Sequence, residues 1–183
     1  MRFADALLRA LDVQCEAWNP LRVQDLTLPS RCDDWVVRDV IEHSALVTMK
    51  FASFAARATD APRSEPRSSA PQDPLARVHE ARMAARAAWP AVDASRVCVL
   101  PFGTFSADMA AGINLFDVLA HTWDVTDALG LELSCEDDLW SAGLDAVTEA
   151  IGADRDPAHY REPVDIDPDA PVRLRFLAYL GRS

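Results

Sequence analysis

The chain has 183 residues, half of them hydrophobic and 26% charged, the composition of a globular domain that can bury one core, which excludes a disordered or fibrous chain. Its formal net charge of −11 argues against nucleic acid and anionic membrane surfaces as partners, since both are bound mainly through clustered Lys and Arg. Met1-Arg2-Phe3-Ala4-Asp5 shows no secretory signal, no apolar run is long enough to span a bilayer, and Cys15, Cys32, Cys98 and Cys135 form no C-x-x-C pair, so a single cytoplasmic domain over 1–183 with reduced thiols is expected.

The elements follow in chain order. Phe3, Ala6, Leu7, Ala10, Leu11, Gln14, Cys15 and Trp18 keep the three-and-four spacing of a buried helical stripe, which Asn19-Pro20 ends. The polar segment Leu28 to Asp34 leads into a second helix from about Trp35 to Ala58, with the aspartates as caps, His43 inside it and an apolar face around Val36, Val40, Val47 and Phe51. Residues 59–74 are rich in Pro, Ser and charge, the composition of a mobile connection. A third helix runs from about Pro74 to Trp89. A short extended piece, Val97 to Leu100, leads through Pro101-Phe102-Gly103 into a fourth helix over roughly Ser106 to Leu129, stopped by Gly130. A shorter helix follows from about Glu136 to Ile151, then a proline-rich loop from Pro157 to Pro171 and an apolar tail, Leu174 to Leu180.

Chemistry concentrates in the fourth helix, where Asp117 and His121 stand four residues apart. Positions i and i+4 share a helix face, with Cβ atoms about 5–6 Å apart, so both side chains can reach one ion. Their mixed oxygen and nitrogen donors suit zinc, nickel or iron better than calcium or magnesium. A third donor has to come from elsewhere, and His43 is the natural one, because metal sites in bundles are built from inward-facing side chains on neighbouring helices. A D-x-x-x-H pair is also common on helices that bind nothing, so these residues alone leave a structural role open. Asp124 lies near the same face, as an acceptor that orients a histidine, a general base near an open position, or an interhelical carboxylate. Asp39, four residues before His43, is a competing donor.

Arg31-Cys32-Asp33-Asp34-Trp35-Val36-Val37-Arg38-Asp39-Val40-Ile41-Glu42-His43 resembles the P-C-x-G-W-x-V-R-D-L-x-x-H segment of the DinB-like, mycothiol-dependent maleylpyruvate isomerase-related proteins of actinobacteria. Asp117 to Gly130 is similar to the D-x-x-x-H-x-W-D-x-A-x-A-x-G segment of a short subfamily in that group, and Pro163 to Arg182 to its closing motif. The resemblance implies an all-α fold, a DinB-like four-helix bundle with a short extra C-terminal helix and long loops. It also implies a divalent metal, zinc with nickel or iron as alternatives, on His43, Asp117 and His121. Where the isomerases carry Glu this chain has Asp117, and where they carry Gly it has Asp34. They also carry a further C-terminal domain that helps form the thiol pocket, whereas this chain ends at Ser183, so the metal site carries over more directly than the isomerase reaction.

The function so implied is a metal-dependent enzyme that activates mycothiol or a water for isomerisation or transfer on a small electrophile. Asp124 is the candidate catalytic residue. Two other readings stand beside it, a non-catalytic metal-binding bundle and a thiol-independent tailoring enzyme. The partners expected are a small-molecule substrate and a second copy of the chain in a homodimer. Trp35 and Trp123 read as packing residues. Cys32, near a helix N-terminus where a thiol's pKa can fall, reads as structural, and His79 and His159 have no assigned role. The acidic stretch from Asp165 to Asp169 lacks the glycine and distal glutamate of a calcium loop and reads as solvated.

Overall fold

A computed structural model describes residues 1–56, 73–100, 103–152, 155 and 160–183 of the chain. Most of the Pro- and Ser-rich connection at 59–74, and His159, lie outside the described residues.

The first helix, α1, spans Phe3–Trp18 and buries Ala6, Leu7, Ala10, Leu11, Gln14, Cys15 and Trp18 of the stripe its periodicity predicts, while Phe3 at its first position is only half-buried. Its last turn closes with the Asn19 N–H donating to the Cys15 carbonyl at 3.0 Å, and Pro20 cannot extend it. Helix α2, Val37–Ala56, buries Val37, Val40, Ile41, Ser44, Ala45, Thr48 and Phe51. Val36 and Val47, expected on the buried face, are only half-buried, because its centre is rotated toward Ile41 and Ala45. The cap of α2 is Asp39, whose Oδ2 accepts the Val36 N–H at 3.0 Å, rather than Asp33 or Asp34. Helix α3, Pro74–Ala88, starts as a proline at the first helical position predicts, with Asp73 Oδ1 accepting the Leu75 N–H at 3.1 Å.

Between α3 and the next helix the chain forms a hairpin of strands β1, Val97–Leu100, and β2, Gly103–Ser106. They pair antiparallel in the register Val97↔Ser106 to Leu100↔Gly103. The second strand, absent from the sequence reading, is too short to show an alternating pattern, and Ser106 serves both as its end and as the cap of α4. Helix α4, Ala107–Ala128, opens with Ser106 Oγ accepting the Met109 N–H at 3.1 Å. It closes on Gly130, whose φ of +64° lets the Leu131 N–H return to the Thr126 carbonyl at 2.8 Å. Helices α5, Asp137–Ile151, and α6, Val172–Tyr179, complete the chain.

Helix α1 packs on α3 and α4, and α2 packs on α3 and α4 as well, so the four form a bundle with α1 and α2 on one diagonal. Helix α5 lies against α4 and α1, and α6 against α5. The architecture is all-α with one small hairpin. Helix α4 is buried nearly all round, as a helix enclosed by three others must be. Where α5 crosses it, the absence of a side chain lets the backbones close in, since a Cβ on Gly112 would lie 3.1 Å from Ala146 Cβ and one on Gly143 2.7 Å from a Leu119 methyl. Trp18, Trp89, Trp140 and Phe176 are fully buried anchors of the core, and truncating one of them to Ala costs about 3–5 kcal/mol. A polar thread crosses this apolar interior, with Gln14 Nε2 donating to Ser44 Oγ at 2.9 Å and to Thr122 Oγ1 at 3.2 Å. It ties α1, α2 and α4 in one register, because slipping any of the three strands a buried polar group.

Candidate metal centre

The site lies where the first turns of α2 face the middle of α4. Two backbone hydrogen bonds close the segment before α2, the Val37 N–H donating to the Leu28 carbonyl at 2.9 Å and the Ser30 N–H to the Trp35 carbonyl at 3.0 Å. This tight loop turns at Asp34, whose φ is +60°. Glycine adopts that conformation freely and Asp is among the few other residues that visit it, so the Asp34 departure from the resembled motif preserves the loop. Arg31 pairs with Asp127 on α4, and Arg161 with Asp33, anchoring the loop from two sides.

One turn of α2 beyond its Asp39 cap stands His43; one turn of α4 separates Asp117 from His121. His43 Nε2 lies 3.5 Å from Asp117 Oδ1, and His121 Nε2 lies 3.6 Å from the same oxygen. The three donor atoms fall within 4.8 Å of one another. Ligands held about 2.1 Å from a tetrahedral ion lie about 3.4 Å apart, so the spacing suits a transition-metal ion between them. The other Asp117 oxygen, Oδ2, is buried without a hydrogen-bond partner, a cost that a bound cation offsets. The residues present therefore fit a divalent metal with one oxygen and two imidazole donors.

Burial pushes the Asp117 carboxyl up, but the charges of His121 and His43 outweigh it and hold it below its usual value. Burial likewise pushes the His43 imidazolium down, while its hydrogen bond to Asp117 and that carboxylate's charge raise it above the ordinary histidine value. His43 is the more exposed imidazole, 36% against 12% for His121, so solvent reaches the site from the α2 side. Trp35 covers that side, its ring centroid 5.1 Å from that of His43 and 6.5 Å from that of His121. With 37% of its surface exposed, Trp35 is no core residue, unlike Trp123, which is packed against the core.

Behind His121 sits a second layer of chemistry. Asp124, fully buried, presents Oδ2 to His121 Nδ1 at 2.9 Å. Arg182 grips the same carboxylate with both arms, Nε to Oδ1 at 2.8 Å and Nη2 to Oδ2 at 2.7 Å. Cys32 Sγ donates to Oδ2 at 3.3 Å. Burial would raise the Asp124 carboxyl, yet the bonds from Arg182 and His121 hold it well below the usual carboxylate range. Both oxygens are committed, so the geometry of Asp124 is that of an acceptor orienting His121 rather than of a base free to take a proton. Burial and the Asp124 charge push the Cys32 thiol up to about 12, the reverse of the lowering its place before α2 suggested, and it stands as a neutral donor.

The structure thus brings His43, Asp117 and His121 to one point and places Asp124 behind them. Asp39 is spent on the α2 cap, while His79 on α3 lines a separate cleft with Cys15, Trp18 and Asp73. Arg182, which the sequence reading placed in a closing motif without a role, lies 58 positions from its partner, a separation that no local pattern reports. The four cysteines are all free thiols.

Residues 5–126 match the family described as "Mycothiol maleylpyruvate isomerase N-terminal domain". The chain is 26% identical over 179 residues to two uncharacterized proteins of Mycobacterium tuberculosis, one from strain CDC 1551 / Oshkosh and one from strain ATCC 25618 / H37Rv. Each alignment covers 96% of this chain and 94% of the relative. No solved structure matches the chain significantly. Among the described residues, no helix is long and apolar enough to cross a membrane.

Proposed function

The chain belongs to the mycothiol maleylpyruvate isomerase N-terminal domain family, a DinB-like group, and from that premise we propose that it is a metalloenzyme acting with a low-molecular-weight thiol on a small electrophile. One observation carries the reading. Asp117 Oδ1 stands 3.5 Å and 3.6 Å from the Nε2 atoms of His43 and His121 while its other oxygen is buried and unpartnered.

In this reading His43, Asp117 and His121 hold one divalent ion, zinc first among the candidates. When bound, such an ion supplies the charge that ionises a coordinated thiol or water at neutral pH. Three protein donors leave room for that group, which enters from the half-exposed His43 and Trp35 side. Asp124 accepts a hydrogen bond from His121 Nδ1–H and so keeps Nε2 free as an electron-pair donor. Trp35 offers an apolar, polarizable face beside the reacting position, and the neutral Cys32 thiol is kept out of the chemistry by its bond to Asp124. The substrate class that fits is a small conjugated carbonyl compound, to which a thiolate adds and from which it leaves, as in isomerisation or thiol transfer.

Elemental mass spectrometry on protein purified without a histidine tag tests the first step. Wild type carries about one equivalent of zinc or another transition metal, and His43→Ala and His121→Ala lose it. That outcome is followed by mycothiol turnover assays on unsaturated diketo acids. Absence of metal even after reconstitution overturns the reading and leaves the histidines as structural residues.

A further inference from the structure

Arg182 stands outside the family match, which ends at residue 126, and although it closes the segment that resembles the subfamily's last motif, that resemblance assigns it no role. It is nonetheless the most heavily committed cation near the site. Its guanidinium holds both oxygens of Asp124, at 2.8 Å and 2.7 Å, and its side chain is only 18% exposed. A planar fork on a carboxylate fixes the carboxylate's rotation, which a point charge does not.

The fold spends a specific device on delivering this side chain. Helix α6 ends in a left-handed turn at Gly181, φ +75°. The Gly181 N–H returns to the Ala178 carbonyl and the Arg182 N–H to the Leu177 carbonyl, each at 2.9 Å. This closure reverses the chain and fixes the backbone from which Arg182 reaches Asp124. The backbone on both sides is held, since the Val164 N–H bonds the Ala178 carbonyl at 2.9 Å, while Arg161 from the same stretch pairs with Asp33 of the loop before α2.

We infer that Arg182 is a positioning residue of the metal centre, acting through Asp124 on His121. With the guanidinium in place, Asp124 Oδ2 is locked to accept from His121 Nδ1 at 2.9 Å, which sets the imidazole's tautomer and rotation and aims Nε2 at Asp117. Without it the buried carboxylate is free to rotate, the Cys32 thiol that already donates to Oδ2 at 3.3 Å competes for it, and His121 loses its fixed orientation. The last turn of the chain is therefore part of the site, and metal affinity depends on the docking of α6.

The inference rests on the metal reading above, and the experiment separates the two. Zinc affinity of the full chain is measured by competition with a chromophoric chelator for wild type, Arg182→Gln, Arg182→Lys and Arg173→Gln, the last removing an exposed charge from α6. Arg182→Gln weakens binding about 10–100-fold, the usual cost of losing a partner that orients a metal-binding histidine. Arg182→Lys, which keeps the charge without the fork, falls between, and Arg173→Gln binds as wild type. Asp124→Asn is the second probe. If Arg182 acts through Asp124, adding Arg182→Gln to Asp124→Asn costs no further affinity, a readout that survives any general loss of stability. Wild-type affinity in Arg182→Gln overturns the inference and leaves the metal reading standing, as does full additivity of the two substitutions. A wild-type chain that binds neither zinc nor another transition metal overturns both.

Discussion

Asp124 shows how one buried carboxylate can be held charged in an apolar bundle. Burial alone would favour its neutral form, but the Arg182 fork and the hydrogen bond from His121 outweigh it. A group whose folded pKa is depressed contributes stability that is present above its unfolded value, about 3.9 for Asp, and is lost as the pH falls below it. Asp124→Asn leaves Arg182 with a buried, uncompensated charge and destabilises the metal-free protein by about 3–5 kcal/mol at neutral pH. The gap between wild type and this variant narrows as the pH drops below about 4, because the unfolded wild-type chain then binds a proton that the folded carboxylate does not. Urea denaturation after chelator treatment, at neutral and acid pH, checks it. A gap that stays constant would show that the carboxylate's charge is not what stabilises the fold. Asp12, gripped by Arg82 and Arg86 across α1 and α3, is also held below its usual value, so wild type has other acid-sensitive contacts, and only the difference between the two proteins reports Asp124.

At the scale of elements, the two glycine-closed helices make a controlled comparison. Gly130 and Gly181 both sit at positive φ, +64° and +75°. A Cβ at Gly130 meets nothing within 4 Å, whereas one at Gly181 would lie 2.5 Å from Arg161 Cβ and 2.7 Å from the Glu162 carbonyl oxygen. Gly130→Ala therefore bears only the left-handed backbone cost, about 1–2 kcal/mol. Gly181→Ala adds a clash with backbone that cannot move aside, and thermal melts should place it clearly below Gly130→Ala in stability. Zinc binding is the more telling readout: Gly181→Ala weakens it because the turn that carries Arg182 is displaced, and Gly130→Ala does not.

At the scale of the whole molecule, an ion bound at the proposed site would staple two elements of the bundle. His43 belongs to α2, Asp117 and His121 to α4, and a ligand that binds only the folded state stabilises it by about 2.7 kcal/mol at 100 times its dissociation constant. For a chain of this size that raises the melting temperature by roughly 5–10 °C, taking about 2–4 °C per kcal/mol. Saturating zinc produces that shift in wild type and none in His43→Ala or His121→Ala by differential scanning calorimetry. An equal shift in all three would place the ion elsewhere on this acidic surface.

Much of this was legible in the sequence, and for local reasons. Helical periodicity, the Pro74 start and the Gly130 stop depend on residues within a few turns of one another, so α1, α3, α4 and α5 read close to their observed bounds. The i, i+4 pair of Asp117 and His121 is likewise a fact of one helix, and His43, the natural third donor of a bundle site, is also the one that the family resemblance implies. What only the tertiary structure decided was which distant groups share one carboxylate. The spacing of His43 from Asp117, the covering of both imidazoles by Trp35, the committed state of Asp124 and the return of Arg182 from the last turn depend on how helices pack. Side chains from separate elements meet only once the apolar faces have set the helices' rotation and depth, and no periodicity along the chain records that arrangement.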